Sequence, residues 1–155
     1  MGGERNRPRK PIFFHLAAFL RSKYRSILQG RGNMARAKIL LVEDNEVNRR
    51  LAGFLLRSKD YQLREATTAN EAFEVLKSES VDLIVMDIQL PDMDGLEATR
   101  KLKAEKTTVD IPVIAVTSYA MAGDRQRALA AGCSGYVSKP IDKISFLSEV
   151  ERHLK

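Results

Sequence analysis

The sequence predicts an α/β fold, an open doubly wound (βα)5 domain with a five-stranded parallel sheet. Short apolar runs alternate with segments of helical period from Lys38 onward, the pattern of repeated βα units. Most of those runs, as at Ile39 to Val42, Leu83 to Met86 and Val113 to Val116, are apolar at consecutive positions, as in strands covered on both faces. Chemically specific polar residues fall at the carboxyl ends of the runs, where open α/β sheets gather their reactive groups.

In chain order, the expected strands are Lys38 to Val42, Gln62 to Glu65, Leu83 to Met86, Val113 to Thr117 and Gly135 to Val137. Between the first two, Val47, Leu51, Phe54 and Leu55 recur at helical spacing and predict one apolar stripe on a helix from about Glu46 to Ser58. Ala69, Ala72, Phe73 and Leu76 predict the second helix. Leu96, Thr99, Leu102 and Lys103 predict a third that begins after Gly95, with Pro91, Asp94 and Gly95 shaping the turn before it. Arg125 to Ala131 form the fourth, stopped at Gly132, where glycine tolerates a left-handed cap. Ile144, Leu147, Val150 and Leu154 line the last. The sequence contains no internal repeat.

Composition narrows the class. With 44% hydrophobic and 30% charged residues, the 155-residue chain reads as a soluble globular protein of one domain. Cys133 is the only cysteine, which excludes an intrachain disulfide and a structural zinc cluster and fits a reducing cytoplasm. The formal charge of +6 is unevenly spread: residues 1–33 hold eight of the 26 Lys and Arg but only Glu4 of the 20 Asp and Glu. The remainder is near neutral, so direct DNA binding by the body of the protein is not expected.

The strand ends carry the chemistry. The first run ends in Glu43 and Asp44, the third in Asp87, the fourth in Thr117 and Ser118, and Lys139 follows the fifth. Three carboxylates in one pocket repel one another, and a hard divalent cation relieves the repulsion; magnesium is the natural candidate, because it also neutralises charge on a phosphoryl group in transfer. Asp87, ionised at neutral pH, can attack an activated phosphoryl donor without a base. Lys139 would supply a point charge and Thr117 a hydroxyl donor to the phosphoryl oxygens. Taken singly each residue has a structural reading: Glu43 or Asp44 could cap the first helix, Lys139 could be a solvated lysine and Tyr136 a packing residue. Their coincidence at four strand ends favours the functional reading.

The runs KILLVEDNEVN, VDLIVMDIQLPDMDG, PVIAVTS and GYVSKP resemble those of response-regulator receiver domains, over residues 36 to 155. Within that family, MDIQLPDMDGLEATR and TSYAMAGDRQRALAAGCSGYVSKPI are similar to single-domain DivK-like receivers and to receivers joined to hybrid kinases. The resemblance implies a flavodoxin-like fold of strand order 2-1-3-4-5. It implies Glu43 and Asp44 as the acidic pair, Asp87 as phosphoacceptor, Thr117 as switch hydroxyl, Lys139 as the family's lysine and Tyr136 as the switch aromatic. Mg2+ would be held by Asp44, Asp87 and the backbone carbonyl of Gln89, with Glu43 acting through water, and the peptide before Pro140 would be cis. Gln89 and Tyr119 stand where side chains tune the lifetime of the phosphorylated state.

The implied protein is a single-domain response regulator of a two-component or phosphorelay system. It would be phosphorylated by a sensor histidine kinase or a histidine phosphotransfer protein and would signal through protein contacts, as a monomer or phosphorylation-dependent dimer in the cytoplasm. It would not be an enzyme beyond catalysing its own phosphorylation and dephosphorylation. His15 and His153, the only histidines, lie away from the strand ends, so a phosphohistidine-carrier role is disfavoured. An aspartyl-phosphate hydrolase would carry a second Asp two residues after the nucleophile, where this chain has Gln89. A calcium loop fails too: placing Gly95 at its sixth position puts Leu90 first and Lys101 last.

Two segments are expected: residues 1–33, a basic N-terminal extension, partly helical or disordered, and residues 34–155, the receiver domain. Met34 could itself be a start. Alternatively Ile12, Leu16, Phe19 or Leu20 and Ile27 could meet lipid on an interfacial helix while Arg21, Lys23 and Arg25 meet anionic headgroups, giving a weak membrane contact. The apolar stretch Ile12 to Leu20 is too short to span a bilayer.

Overall fold

The computed structural model describes residues 37–118 and 121–154. The expectations for residues 1–33 and for Tyr119 lie outside these described residues. The elements run β1 (Lys38–Val42), α1 (Glu46–Arg57), β2 (Gln62–Ala66), α2 (Ala69–Ser78), β3 (Leu83–Asp87), α3 (Gly95–Ala104), β4 (Val113–Thr117), α4 (Asp124–Ala130), β5 (Gly135–Ser138) and α5 (Lys143–His153). All strand pairs are parallel and the order is β2-β1-β3-β4-β5, the doubly wound arrangement expected. Three strands extend one residue beyond their expected bounds, because the parallel register carries pairing on to Ala66 beside Val42, Asp87 beside Val116 and Ser138 beside Thr117.

Alternation along the strands divides the core into two layers. Ile39, Leu41, Leu83, Val85, Ile114 and Val116 face α1 and α5, packing on Leu55, Leu56, Phe146 and Val150. Leu40, Val42, Ile84, Met86, Val113 and Ala115 face α2, α3 and α4, packing on Ala72, Leu96, Ala98, Leu102 and Ala128. Both layers end below the carboxyl edge of the sheet, which leaves that edge to polar groups.

Two helix faces correct the reading from periodicity. On α1 the buried residues are Ala52, Gly53, Leu55 and Leu56, whereas Val47 is 74%, Leu51 43% and Phe54 69% exposed. At about 100° per residue, Leu56 lies opposite Val47, so the sheet takes the Ala52/Leu56 side and leaves most of the predicted stripe in solvent. Ile144, assigned to the inward face of α5, stands 75% exposed in its first turn, while Phe146, Leu147 and Val150 are buried.

Among the described residues, every helix start except that of α4, which follows Gly123, is capped by a loop side chain. Asn45 accepts from the Asn48 N–H (3.0 Å), so neither Glu43 nor Asp44 is the side-chain cap of α1. Asp94 caps α3 by accepting from the Leu96 N–H at 2.7 Å. Gly95 follows it because the backbone packs there: a Cβ would collide with the Asp87 carbonyl oxygen and lie 2.9 Å from Ile88 Cα. At the end of α4, Gly132 adopts a φ of +102° and the Cys133 N–H reaches back to the Ala128 carbonyl (3.0 Å), the left-handed stop expected.

Candidate functional site

Because β1 and β3 are adjacent and in register, their carboxyl ends bring Glu43, Asp44 and Asp87 together. A carboxylate oxygen from each lies within 4.8 Å of one from each of the others. Glu43 and Asp87 are buried, at 3% and 2% exposure, and Asp44 is open to solvent. The group is therefore a pocket with an acidic floor and one acidic wall at its mouth.

Lys139 reaches in from the loop after β5. Its Nζ lies 2.7 Å from Glu43 Oε2 and 3.2 Å from Asp87 Oδ2, bridging the two buried carboxylates. The loop is anchored by the Lys139 N–H donating to the Thr117 carbonyl at 2.7 Å, and the Lys139–Pro140 peptide is cis, as the family resemblance implied. The remaining oxygens are met by main chain. The Asn45 N–H donates to Glu43 Oε1 (3.0 Å) and the Gln89 N–H to Asp87 Oδ1 (3.0 Å).

Burial pushes the Glu43 carboxyl up to about 6 against the opposing hydrogen bond from Lys139, and the Asp87 charge pushes it the same way. Burial pulls the Lys139 ammonium down, but its hydrogen bond to Glu43 and the charges of Asp87 and Glu43 outweigh that and hold it above the ordinary lysine value. The ammonium gains from two anions at once. Glu43 has only one cation against burial and a like charge, so the pair benefits its two members unequally.

Thr117 is buried at the carboxyl end of β4, one strand away from Asp87. Its side chain shares a sheet face with Tyr136 of β5, since Ala115 pairs with Tyr136 and alternation returns residue 117 to the same side. Tyr136 is half-buried against the α2-α3-α4 layer. A groove of about 570 Å³ opens beside Thr117, lined in part by Gln89, Leu90, Leu96 and Met121. Gln89 is exposed at its rim.

Two residues of the site's frame have no site role in the sequence reading, where Asp92 figures only in the rejected calcium loop and Arg49 not at all. Arg49 Nη1 donates to the main-chain carbonyls of Glu43 (3.0 Å) and Asp44 (3.1 Å). Asp92, in the loop after Asp87, accepts from the Ala69 N–H (3.0 Å) and the Asn70 N–H (2.9 Å) and so ties that loop to the start of α2. An acid placed before a distant helix start leaves no pattern of its own, but Arg49, four residues after the Asn45 cap, could have been suspected of folding back over the first turn.

The family model for the response regulator receiver domain matches residues 39–151. The chain belongs to the response-regulator receiver family. It is 40% identical to the polar-differentiation response regulator DivK of Brucella ovis over 116 residues, which cover 75% of this chain and 94% of DivK. The receiver domain of a sensor histidine kinase from Pseudomonas aeruginosa PAO1, solved with a magnesium ion coordinated in its active site cleft, is 34% identical. It superposes with a TM-score of 0.71 over 77% of this chain and 98% of that one. The chemotaxis response regulator CheY4 of Vibrio cholerae, at 24% identity, shares the fold with a TM-score of 0.72, over 77% of this chain and 99% of its own. This receiver therefore serves two-component signalling, and its acidic triad is of the kind that holds a divalent cation. Among the described residues no helix is long and apolar enough to cross a membrane.

Proposed function

We propose that this receiver accepts a phosphoryl group on Asp87 from a phosphohistidine of a sensor histidine kinase or a phosphotransfer protein, and signals through protein contacts. A carboxylate oxygen of Asp87 attacks phosphorus, the P–N bond breaks, and the imidazole leaves with the electron pair, giving an acyl phosphate. The observation that carries this reading is the buried Asp87 carboxylate with the Lys139 ammonium at 3.2 Å and the acidic pair within 4.8 Å.

The donor set fits a hard divalent cation: three carboxylates, one of them solvent-open at the mouth, with no soft ligand among them. Asp44, Asp87 and the Gln89 carbonyl would hold Mg2+, with Glu43 acting through water. Magnesium so held supplies charge neutralisation for the transferring phosphoryl oxygens. Lys139 moves its ammonium from the carboxylates toward the phosphoryl group, and the Thr117 hydroxyl turns to donate to it. Tyr136 then follows Thr117 inward, toward the groove beside Leu90 and Met121, and the surface of α4, β5 and α5 changes.

The exposed Val47, Leu51 and Phe54 of α1 give the phosphodonor an apolar landing beside Asp87, and helical partner surfaces recognise such an i, i+4, i+7 row. The chain catalyses only its own phosphorylation and dephosphorylation, with Gln89 in place of the second Asp that a hydrolase needs. It works in the cytoplasm, where histidine kinases expose their phosphohistidine, without direct DNA contact, as a monomer or phosphorylation-dependent dimer. A weak membrane contact is assigned to residues 1–33, and full-length protein against residues 34–155 on anionic liposomes tests it, equal binding removing it.

Incubation with acetyl phosphate and Mg2+, read by intact mass, tests the main proposal. One added phosphoryl group that needs Mg2+ and vanishes in Asp87→Asn is expected. No label, or a label that survives Asp87→Asn, would overturn it.

A further inference from the structure

We infer that Arg49 is a positioning residue for the divalent cation, holding the two halves of the acidic pair at the angle the metal needs; this rests on the proposed function. The acidic pair has an awkward requirement. Glu43 must enter the core while its neighbour Asp44 faces solvent at the mouth of the same pocket. Extended backbone already turns consecutive side chains apart, but beyond a strand their directions hold only where the peptide planes are held, and these two residues lie beyond the last residue of β1 and before α1 begins.

Residue 43 has one ladder bond, its N–H donating to the Ala66 carbonyl at 3.0 Å, and its side chain is held by the Asn45 N–H. The carbonyls of residues 43 and 44 have no strand partner in the register, because β1 pairing ends at Val42. Arg49 fills that gap. It is the residue whose N–H closes the first turn of α1 on the Asn45 carbonyl (2.9 Å), and its guanidinium doubles back over that turn to both carbonyls. Its neighbour Arg50 instead makes an exposed pair with Glu46 at 2.7 Å. The one arginine grips main chain; the other decorates the surface.

Charge and geometry act in opposite directions here, and that separates them experimentally. A cation beside the acidic pair repels an incoming divalent ion, so removing the charge alone should tighten metal binding. Releasing the two carbonyls should loosen it, since groups that orient metal ligands typically contribute about tenfold or more to affinity. If Arg49 positions the pair, the loss of geometry wins.

The test is titration of Mg2+ alone into the full chain by calorimetry, with circular dichroism to establish that each variant is folded at the titration temperature. Arg49→Met should weaken Mg2+ binding roughly tenfold. Arg49→Lys, which keeps a donor and the charge, should recover most of the loss, and Arg50→Met, which removes a charge from the same turn without touching the carbonyls, should bind as well as or slightly better than the unmodified protein. Arg49→Gln, shorter and neutral, serves if Arg49→Met does not fold and should fall on the weak side. Unchanged or tighter binding in the neutral Arg49 variant overturns this inference and leaves the proposed function standing. Absence of Mg2+ binding by the unmodified protein overturns both.

Discussion

Replacing Glu43 with glutamine should stabilise the metal-free protein while crippling its metal site. Folding raises the Glu43 carboxyl from 4.5 to about 6, chiefly through burial, so the folded state binds this proton more tightly than the unfolded chain does. Stability from this group is therefore greatest below the unfolded value and declines as pH rises through the folded one, the reverse of the usual carboxylate. A displacement of this size corresponds to about 2 kcal/mol of destabilisation near pH 7.5, and to less than half of that near pH 5. Glutamine keeps the shape and an acceptor for the Asn45 N–H without the charge. Urea denaturation in EDTA should then show Glu43→Gln about 2 kcal/mol more stable than the unmodified protein near pH 7.5, with the advantage shrinking below about 1 kcal/mol near pH 5. Comparing the two proteins at each pH cancels the other carboxylates, including Glu79, Asp92 and Asp142, whose lowered values act in the opposite sense. A difference that does not change with pH, or a variant less stable at neutral pH, would refute the claim that burial outweighs the Lys139 pair at Glu43.

Other consequences are simpler to check. Asp92→Ala removes both acceptors from the Ala69 and Asn70 N–H groups and should cost about 1 kcal/mol, read as a lower urea midpoint; an unchanged midpoint would mean that the tie to α2 contributes nothing. Phe54→Asp changes an exposed side chain, so stability should move by no more than about 0.5 kcal/mol. Labelling of that variant by acetyl phosphate should persist while transfer from a phosphorylated partner falls at least several-fold, and unimpaired transfer would remove α1 as the landing surface. Tyr119→Ala should speed the decay of the acyl phosphate, followed by loss of the added mass, since the family resemblance implies a ring near the phosphoryl group that would hinder in-line attack by water. Decay that is unchanged or slower would reject that role.

The fold was legible because a parallel sheet covered on both sides writes its strands as unbroken apolar runs, and the runs at Lys38 and Val113 fixed β1 and β4 to the residue. Register added the last residue to β2, β3 and β5, where Ala66, Asp87 and Ser138 continue the pairing past the expected bounds. The α1 stripe was visible but its direction was not. Periodicity reports that Val47, Leu51 and Phe54 share a side, and says nothing about whether the sheet or the solvent meets it. In the same way the pocket residues were found by their place at strand ends, while the groups that hold them meet main chain: the Asn45 N–H, which any residue but proline carries, donates to Glu43, and the Arg49 guanidinium donates to the carbonyls of residues 43 and 44, which have no sequence pattern. The site's chemistry has a sequence signature; its scaffolding is a property of the folded backbone.

Whether Asp87 carries the phosphoryl group is decided by trapping the acyl phosphate where it forms. Protein phosphorylated in Mg2+ is reduced with borohydride, which converts an aspartyl phosphate to homoserine, and its peptides are sequenced by mass spectrometry. Homoserine is expected at residue 87 alone, dependent on Mg2+. Conversion at Asp44 or at another carboxylate, with Asp87 untouched, would contradict it.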